Sequence, residues 1–61
     1  MKVRDVIKAI EKDGWHEVAQ AGSHKQYKHP VKKGKVTIPY HKGKDIPIGT
    51  LKSIFKQAGL K

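Results

Sequence analysis

The chain has 61 residues, with 14 Lys and Arg against 5 Asp and Glu, and it contains no cysteine. A single domain spanning residues 1–61, with a small core and no deep enclosed pocket, is expected, because chains of this size bury only about 60% of the surface that they expose when unfolded. The composition excludes a disulfide framework, a thiolate nucleophile and a cysteine-ligated zinc, while the net charge of +9 favours a nucleic acid over a membrane surface as partner.

A helix is predicted over residues 2–13, because apolar side chains recur there at the spacing of one helical face. These side chains are Val3, Val6, Ile7 and Ile10. Gly14 follows them, and glycine is the residue that most readily adopts the left-handed conformation with which many helices end.

Three strands are predicted next, over residues 15–20, 24–31 and 35–40. Alternation in the first strand places Trp15, Glu17 and Ala19 on one side and His16, Val18 and Gln20 on the other. Trp15 is expected in the core, since burial is the commoner use of a large aromatic side chain, with base stacking as the alternative. His16 is expected to be structural.

The third strand indicates which face of the sheet is buried. Its apolar side chains Val36, Ile38 and Tyr40 share one face, and Tyr27 is the large apolar side chain of the second strand. The side of the second strand that carries Tyr27 and the side of the third strand that carries these three residues are therefore expected to form one buried face of the sheet. Pro39 lacks an N–H group and predicts an edge strand or a strand end. The opposite face, here called the open face, then carries His24, Gln26 and Lys28.

A basic loop at residues 41–45 precedes a second helix, predicted at about residues 48–58. Its apolar arc comprises Ile48, Leu51, Ile54, Phe55 and Ala58. The order α-β-β-β-α predicts an α+β fold in which two helices cover one face of a three-stranded antiparallel sheet. No signal-peptide core or membrane-spanning run is present, and a cytoplasmic location is expected.

His24 stands at the mouth of the second strand, directly after a Gly22-Ser23 turn. A histidine there is held by a rigid element and still reaches solvent. Histidine is also the side chain whose ordinary pKa lets it exchange a proton near neutral pH. From these residues alone, a proton-transfer role and an ordinary surface histidine both remain open.

Three motifs resemble the HicA (YcfA-like) toxin family. They are Gly14-Trp15, Gly22-Ser23-His24 with Tyr27, and Ile46-Pro47-x-Gly49-Thr50-Leu51 with Ile54 and Ala58-Gly59-Leu60. The resemblance implies an mRNA interferase of a type II toxin–antitoxin system with a fold like the double-stranded-RNA-binding domain. It also implies that His24 is the catalytic histidine and that a HicB-type antitoxin masks it.

Cleavage of RNA needs a proton acceptor for the 2′-OH and positive charge at the phosphate. We predict His24 as general base or acid, without metal or cofactor, and products ending in a 2′,3′-cyclic phosphate and a 5′-hydroxyl. The predicted RNA contacts are Lys25, Gln26, Lys28, Lys42 and Lys44.

The second proton carrier stays open among His29, His41 and Tyr40. A metal site at His24, His29 and His41 is disfavoured because their spacing matches no standard zinc pattern. The rival function is a non-catalytic RNA-binding module of the same fold. A DNA-binding role is weaker, since neither helix offers a base-reading set of Arg, Asn and Gln.

Overall fold

The computed structural model of the chain describes residues 1–41 and 44–60. The elements are α1 (Val3–Lys12), β1 (His16–Ala21), β2 (His24–Lys28), β3 (Val36–Pro39) and α2 (Ile48–Gln57). The strands form one antiparallel sheet in the order β1-β2-β3. The predicted α+β fold is confirmed, and it is consistent with the double-stranded-RNA-binding-like comparison.

The predicted core is confirmed for the sheet and for most of the helical positions, but Ile48 of the predicted apolar arc is 72% exposed. Tyr27 is buried together with Val36 and Ile38 of β3, and residues of both helices pack on that same face of the sheet. Trp15 is buried as well, and its indole Nε1 donates a hydrogen bond to the carbonyl oxygen of Ala58, at 3.3 Å. Burial, with a smaller contribution from the nearby Glu17 carboxylate, raises the pKa of Tyr27 to about 12.

The second strand ends at Lys28, three residues before the predicted end, so that boundary was wrong. Pro30 has no amide hydrogen to offer a sheet. His29 turns its ring back on the chain instead. Its Nδ1 accepts hydrogen bonds from the backbone amides of Val31 (2.9 Å) and Lys32 (3.0 Å), and these bonds close a turn that leads the chain off the sheet.

Strand β1 contains a bulge that the alternation rule did not anticipate. Glu17 pairs with Tyr27, but Ala19 pairs with the preceding residue of β2, so Val18 is an extra residue without a partner. A bulge shifts every later side chain by one position. Ala19 and Ala21 therefore lie on the open face, and the predicted sides of Ala19 and Gln20 were wrong.

The outer edge of β3 offers few groups for pairing with another strand. The amide of Tyr40 donates to the carbonyl of Ser23 at 2.6 Å, and the alternation of antiparallel bonds then points Thr37 and Pro39 away from β2. The Thr37 amide donates to the Gln57 side chain at 3.4 Å, whereas Pro39 has no amide hydrogen. The predicted edge position of Pro39 is confirmed.

Neither helix among the described residues combines the length and apolar character needed to cross a membrane.

Candidate active site

His24 is held at the end of a two-residue hairpin turn. Gly22 has φ +59° and Ser23 has no positive φ, which is the pattern of a type II′ turn with glycine in its first central position. The side-chain amide Nε2 of Gln20 donates a hydrogen bond to the backbone carbonyl of Gly22 at 3.0 Å and supports this turn. The turn delivers His24 to the first position of β2, where it is exposed.

The neighbours of His24 on the open face are small. Ala21 pairs with it on β1 and Pro39 pairs with it on β3. The next row across the sheet is Ala19, Gln26 and Thr37, and the row after that pairs His16 with Lys28. Because no bulky side chain flanks the imidazole within these rows, it is accessible from above the sheet.

The carboxylates are not carried by the strand residues of the open face. Glu17 shares the face of Tyr27, and its carboxylate pairs with Lys25 at 3.2 Å. Asp45 pairs with Lys2 at 3.6 Å. The two acidic residues of α1 belong to the helix layer on the far side of the sheet.

Asp13 completes the set of acidic residues. It is held by Lys32, whose ammonium also donates to the Ala58 carbonyl at 3.0 Å. The hydrogen bond from Lys32 lowers the pKa of the Asp13 carboxyl below its ordinary value. The strand residues of the open face therefore include no acidic side chain, which suits a surface that receives phosphate groups.

The predicted RNA contacts do not all lie together. Gln26 and Lys28 are on the open face with His24, as predicted. Lys25 lies on the opposite face, where its ammonium contacts Glu17 and sits 4.7 Å from the centre of the Tyr40 ring. The side chain of Lys25 is only 18% exposed.

Lys44 lies at the same end of the sheet as His24. It lines a small cavity of about 40 Å³ together with Pro39, the β3 partner of His24, with His41 and with Asp45, the acidic residue nearest this end of the sheet among those lining the cavity. The carbonyl of Lys44 accepts a 3.4 Å hydrogen bond from the amide of Val3, and this bond ties the segment to the start of α1. Lys42 lies outside the described residues.

The three candidates for a second proton carrier differ in their surroundings. His29 is used structurally: its Nε2 donates to the Asp13 carbonyl at 2.8 Å, and its ring packs edge-on against Trp15 with centroids 5.2 Å apart. Tyr40 lies under the Lys25 ammonium on the face away from His24. His41 is exposed and lies beside Pro39 at the His24 end. Its position makes it the best placed of the three.

Residues 1–41 and 44–60 contain no group of three or more His, Cys, Asp or Glu side chains arranged to hold a metal ion. Two residues of the open face were not among the predicted RNA contacts. Lys35 precedes β3, and its ammonium reaches the Gln26 side-chain oxygen at 3.5 Å, which places it over the open face. His16 was expected to be structural, but it is exposed in the row of Lys28.

Alternation along β2 was a sufficient signal for the position of Lys28, and alternation over the predicted third strand already put Lys35 on the same face as Thr37 and Pro39. Its contact with Gln26 joins two strands, and alternation within one strand does not specify it. The exposure of His16 follows from the same alternation, because it pairs across the sheet with a residue of the open face.

Comparison with known proteins places the chain in a family. No individual curated protein matches it. A family model described as "HicA toxin of bacterial toxin-antitoxin" matches residues 3–60. That span covers both helices, all three strands and the turn that presents His24. The chain therefore belongs to the HicA family of toxins of bacterial toxin–antitoxin systems.

Proposed function

We propose that this HicA toxin is an mRNA-cleaving endoribonuclease and that His24 transfers the proton. The observation that carries the proposal is the placement of His24: it is exposed on a sheet face whose strand residues include no acidic side chain, and a rigid hairpin turn holds it. RNA supplies its own nucleophile, the ribose 2′-OH. The protein then has to add only a positioned proton acceptor and positive charge.

In the proposed reaction, His24 removes the 2′-OH proton while the 2′-oxygen attacks phosphorus. A bond forms between the 2′-oxygen and phosphorus, and the bond from phosphorus to the 5′-oxygen of the next nucleotide breaks. The leaving 5′-oxygen receives a proton, for which His41 is the best-placed donor among the described residues. The products carry a 2′,3′-cyclic phosphate and a 5′-hydroxyl, and the step uses no metal.

The contacts to RNA are proposed to come from Gln26 and Lys28 on the open face and from Lys44 near its His24 end. Lys42 belongs to the same basic loop in the sequence and keeps its proposed role. Lys25 is reassigned. Its ammonium contacts Glu17 of β1 and the ring of Tyr40, which follows β3. We therefore propose that Lys25 stabilises the packing of the three strands at this end of the sheet and does not contact phosphate.

The proposed partner is a HicB-type antitoxin that covers the open face around His24 with an acidic surface. A basic toxin of net charge +9 attracts such a surface and speeds association. The antitoxin mixed in equal amount is expected to protect RNA from cleavage. A complex that forms and still cleaves at the full rate would contradict occlusion of the site.

The test of the function compares the parent protein with His24→Ala on single-stranded RNA, and the new ends are analysed chemically. Loss of a positioned acid–base group is expected to slow cleavage by about 10²–10⁴. His16→Ala is the matched control, because it removes another exposed histidine of the same face and is expected to keep the parent kcat.

Three results would contradict the proposal. Cleavage by His24→Ala at the parent rate would remove His24 from the reaction. Products with 5′-phosphates would exclude attack by the 2′-oxygen. Binding of RNA without any cleavage by the parent protein would favour the non-catalytic RNA-binding module.

A further inference from the structure

We propose that the open face carries a second RNA subsite, formed by Lys28 and Lys35, that is separate from the cleaved phosphodiester. The inference rests on the proposed ribonuclease function and specifies its substrate. That substrate is an unpaired RNA segment. It extends to one side of the cleaved bond far enough to cover the distance of about 13 Å from His24 to Lys28.

The distance between the two positions follows from the register. His24 and Lys28 stand at opposite ends of β2 and face the same way. Four residues of an extended strand span about 13 Å. This length exceeds the separation of neighbouring phosphates in a nucleic-acid strand. A phosphate held by Lys28 is therefore not the one next to the bond that His24 cleaves.

Two lysines lie on the open face beyond His24: Lys28 ends β2, and Lys35 precedes β3. The Lys35 ammonium lies 3.5 Å from the side-chain oxygen of Gln26, in the row between His24 and Lys28. Lys35 thus reaches over the sheet from the residue before β3. Because its oxygen accepts from Lys35, Gln26 keeps its side-chain N–H groups for an acceptor above the face.

These two lysines differ from those already neutralised. The lysine–carboxylate pairs among residues 1–41 and 44–60 use Lys2, Lys25 and Lys32. Lys28 and Lys35 are exposed, and the strand residues of their face include no acid. An anion bound there meets positive charge without a competing carboxylate on the same face, and release of counterions favours a polyanion over a single small anion.

The surface between the two ends can be approached closely. The bulge at Val18 places Ala19 and Ala21 on the open face along β1, and Thr37 and Pro39 flank β2 on the other side. Short side chains therefore border Gln26 along the path from His24 to Lys28. An RNA strand lying along β2 can contact His24 and the lysines at the same time.

An unpaired strand is required by the reaction as well as by the surface. Attack by the 2′-oxygen needs this atom, phosphorus and the leaving oxygen in a line, and A-form pairing holds them far from that arrangement. An unpaired strand can also lay its backbone along the sheet, whereas a duplex presents its backbone and 2′-OH groups only across its minor groove.

The experiment measures how cleavage depends on substrate length. The cleavage site is first mapped on a long RNA with the parent protein. Oligonucleotides are then made with one ribose at that site and 2′-O-methyl groups elsewhere, so that only one bond can break. They extend by one or by four nucleotides on the 5′ side or on the 3′ side. The proteins are the parent, Lys28→Ala/Lys35→Ala and the control Lys52→Ala/Lys56→Ala.

The control removes the same charge from exposed positions of α2, away from the open face. For the parent we expect extension on one side to raise kcat/KM by about tenfold, mostly through KM, as charge-assisted contacts are gained. In Lys28→Ala/Lys35→Ala this gain from length disappears, whereas it persists in the control. RNA binding is compared in the His24→Ala background, where the substrate survives. There Lys28→Ala/Lys35→Ala is expected to reduce the steepness of log binding constant against log salt by about 1.4, because each phosphate contact on a single strand contributes about 0.7.

Other outcomes overturn the subsite. Equal losses in the two double variants would show a general effect of charge. A gain from length that survives Lys28→Ala/Lys35→Ala would place the contacts elsewhere. If the parent cleaves long RNA normally in any of these cases, the proposed function stands and the subsite alone fails. If the parent cleaves no RNA, the function itself fails.

Discussion

Lys25 and Lys28 belong to the same strand and face opposite sides of the sheet, so replacing each by methionine tests the assignment of the two faces. Lys28→Met removes a charge from the open face. Lys25→Met removes an ammonium that contacts Glu17 at 3.2 Å and Tyr40 at 4.7 Å from the ring centre. Methionine keeps much of the aliphatic stem in both cases, so the comparison isolates the charge.

The magnitudes separate the two variants. A partly exposed ion pair such as Lys25 with Glu17 contributes about 0.2–1 kcal/mol, and a cation over an aromatic ring adds about 0.5–1 kcal/mol. Lys25→Met should therefore lower the free energy of unfolding by about 1–2 kcal/mol. For a domain of this size, each kcal/mol shifts Tm by about 4–8 °C. Lys28→Met should stay within about 0.5 kcal/mol of the parent.

RNA binding should respond in the reverse order. In the His24→Ala background, Lys28→Met is expected to reduce the salt slope of RNA binding by about 0.7, the value for one phosphate contact on a single strand. Lys25→Met is expected to leave that slope unchanged. Thermal melts and a salt series of RNA titrations on the same protein samples give both quantities.

The pairing itself can be measured with Glu17→Gln. If Lys25 acts through this carboxylate, the double variant should be less destabilised than the sum of the single variants. The reasoning is refuted if Lys25→Met lowers the salt slope as much as Lys28→Met while Tm stays at the parent value. Lys25 would then contact RNA, and the face assigned to it would be wrong in solution.

Three further predictions concern the framework of the site. Tyr27→Ala should lower the free energy of unfolding by about 3–5 kcal/mol, a large part of the roughly 3–9 kcal/mol expected for a chain of this length. Its thermal transition should therefore be lost or strongly lowered, whereas His24→Ala should melt near the parent. Equal Tm values would contradict the buried position of Tyr27. Gly14→Ala should destabilise more than Gly22→Ala. Both glycines have a positive φ (+114° and +59°), but an added Cβ at Gly14 would also lie 2.6 Å from an imidazole nitrogen of His29, whereas at Gly22 no residue beyond its chain neighbours lies within 4 Å. Similar melts for the two variants would refute the clash. Asp13→Asn should lower the free energy of unfolding at neutral pH. The contribution of the Asp13 carboxylate is complete above the ordinary pKa of 3.8 and is lost on protonation, so the difference from the parent should vanish as pH falls through the lowered pKa of this carboxyl. Melts of both proteins across pH 2–7 check this, and a difference that persists at the lowest pH would show that the ion pair is not its source.

Local periodicity was enough to predict the layers of this protein. The apolar spacing of α1 indicated its buried face, and Val3, Val6 and Ile10 are buried as expected. Alternation along β2 separated Tyr27 from His24, which placed one in the core and the other in solvent. The Gly-Ser pair indicated the turn that presents His24. Each of these inferences depends on residues a few positions apart in the chain.

The tertiary structure alone decided which side chains contact one another across the sheet. The bulge at Val18 moves Ala19 to the open face, and a bulge has no compositional signature within β1. Lys25 faces away from His24 as alternation implied, but its partners Glu17 and Tyr40 come from the two neighbouring strands. The reach of Lys35 to Gln26 likewise joins two strands. The residues across the sheet decide whether a lysine is held by a carboxylate or is free to bind phosphate. Those neighbours depend on the register between strands, and the order of residues within one strand does not specify that register.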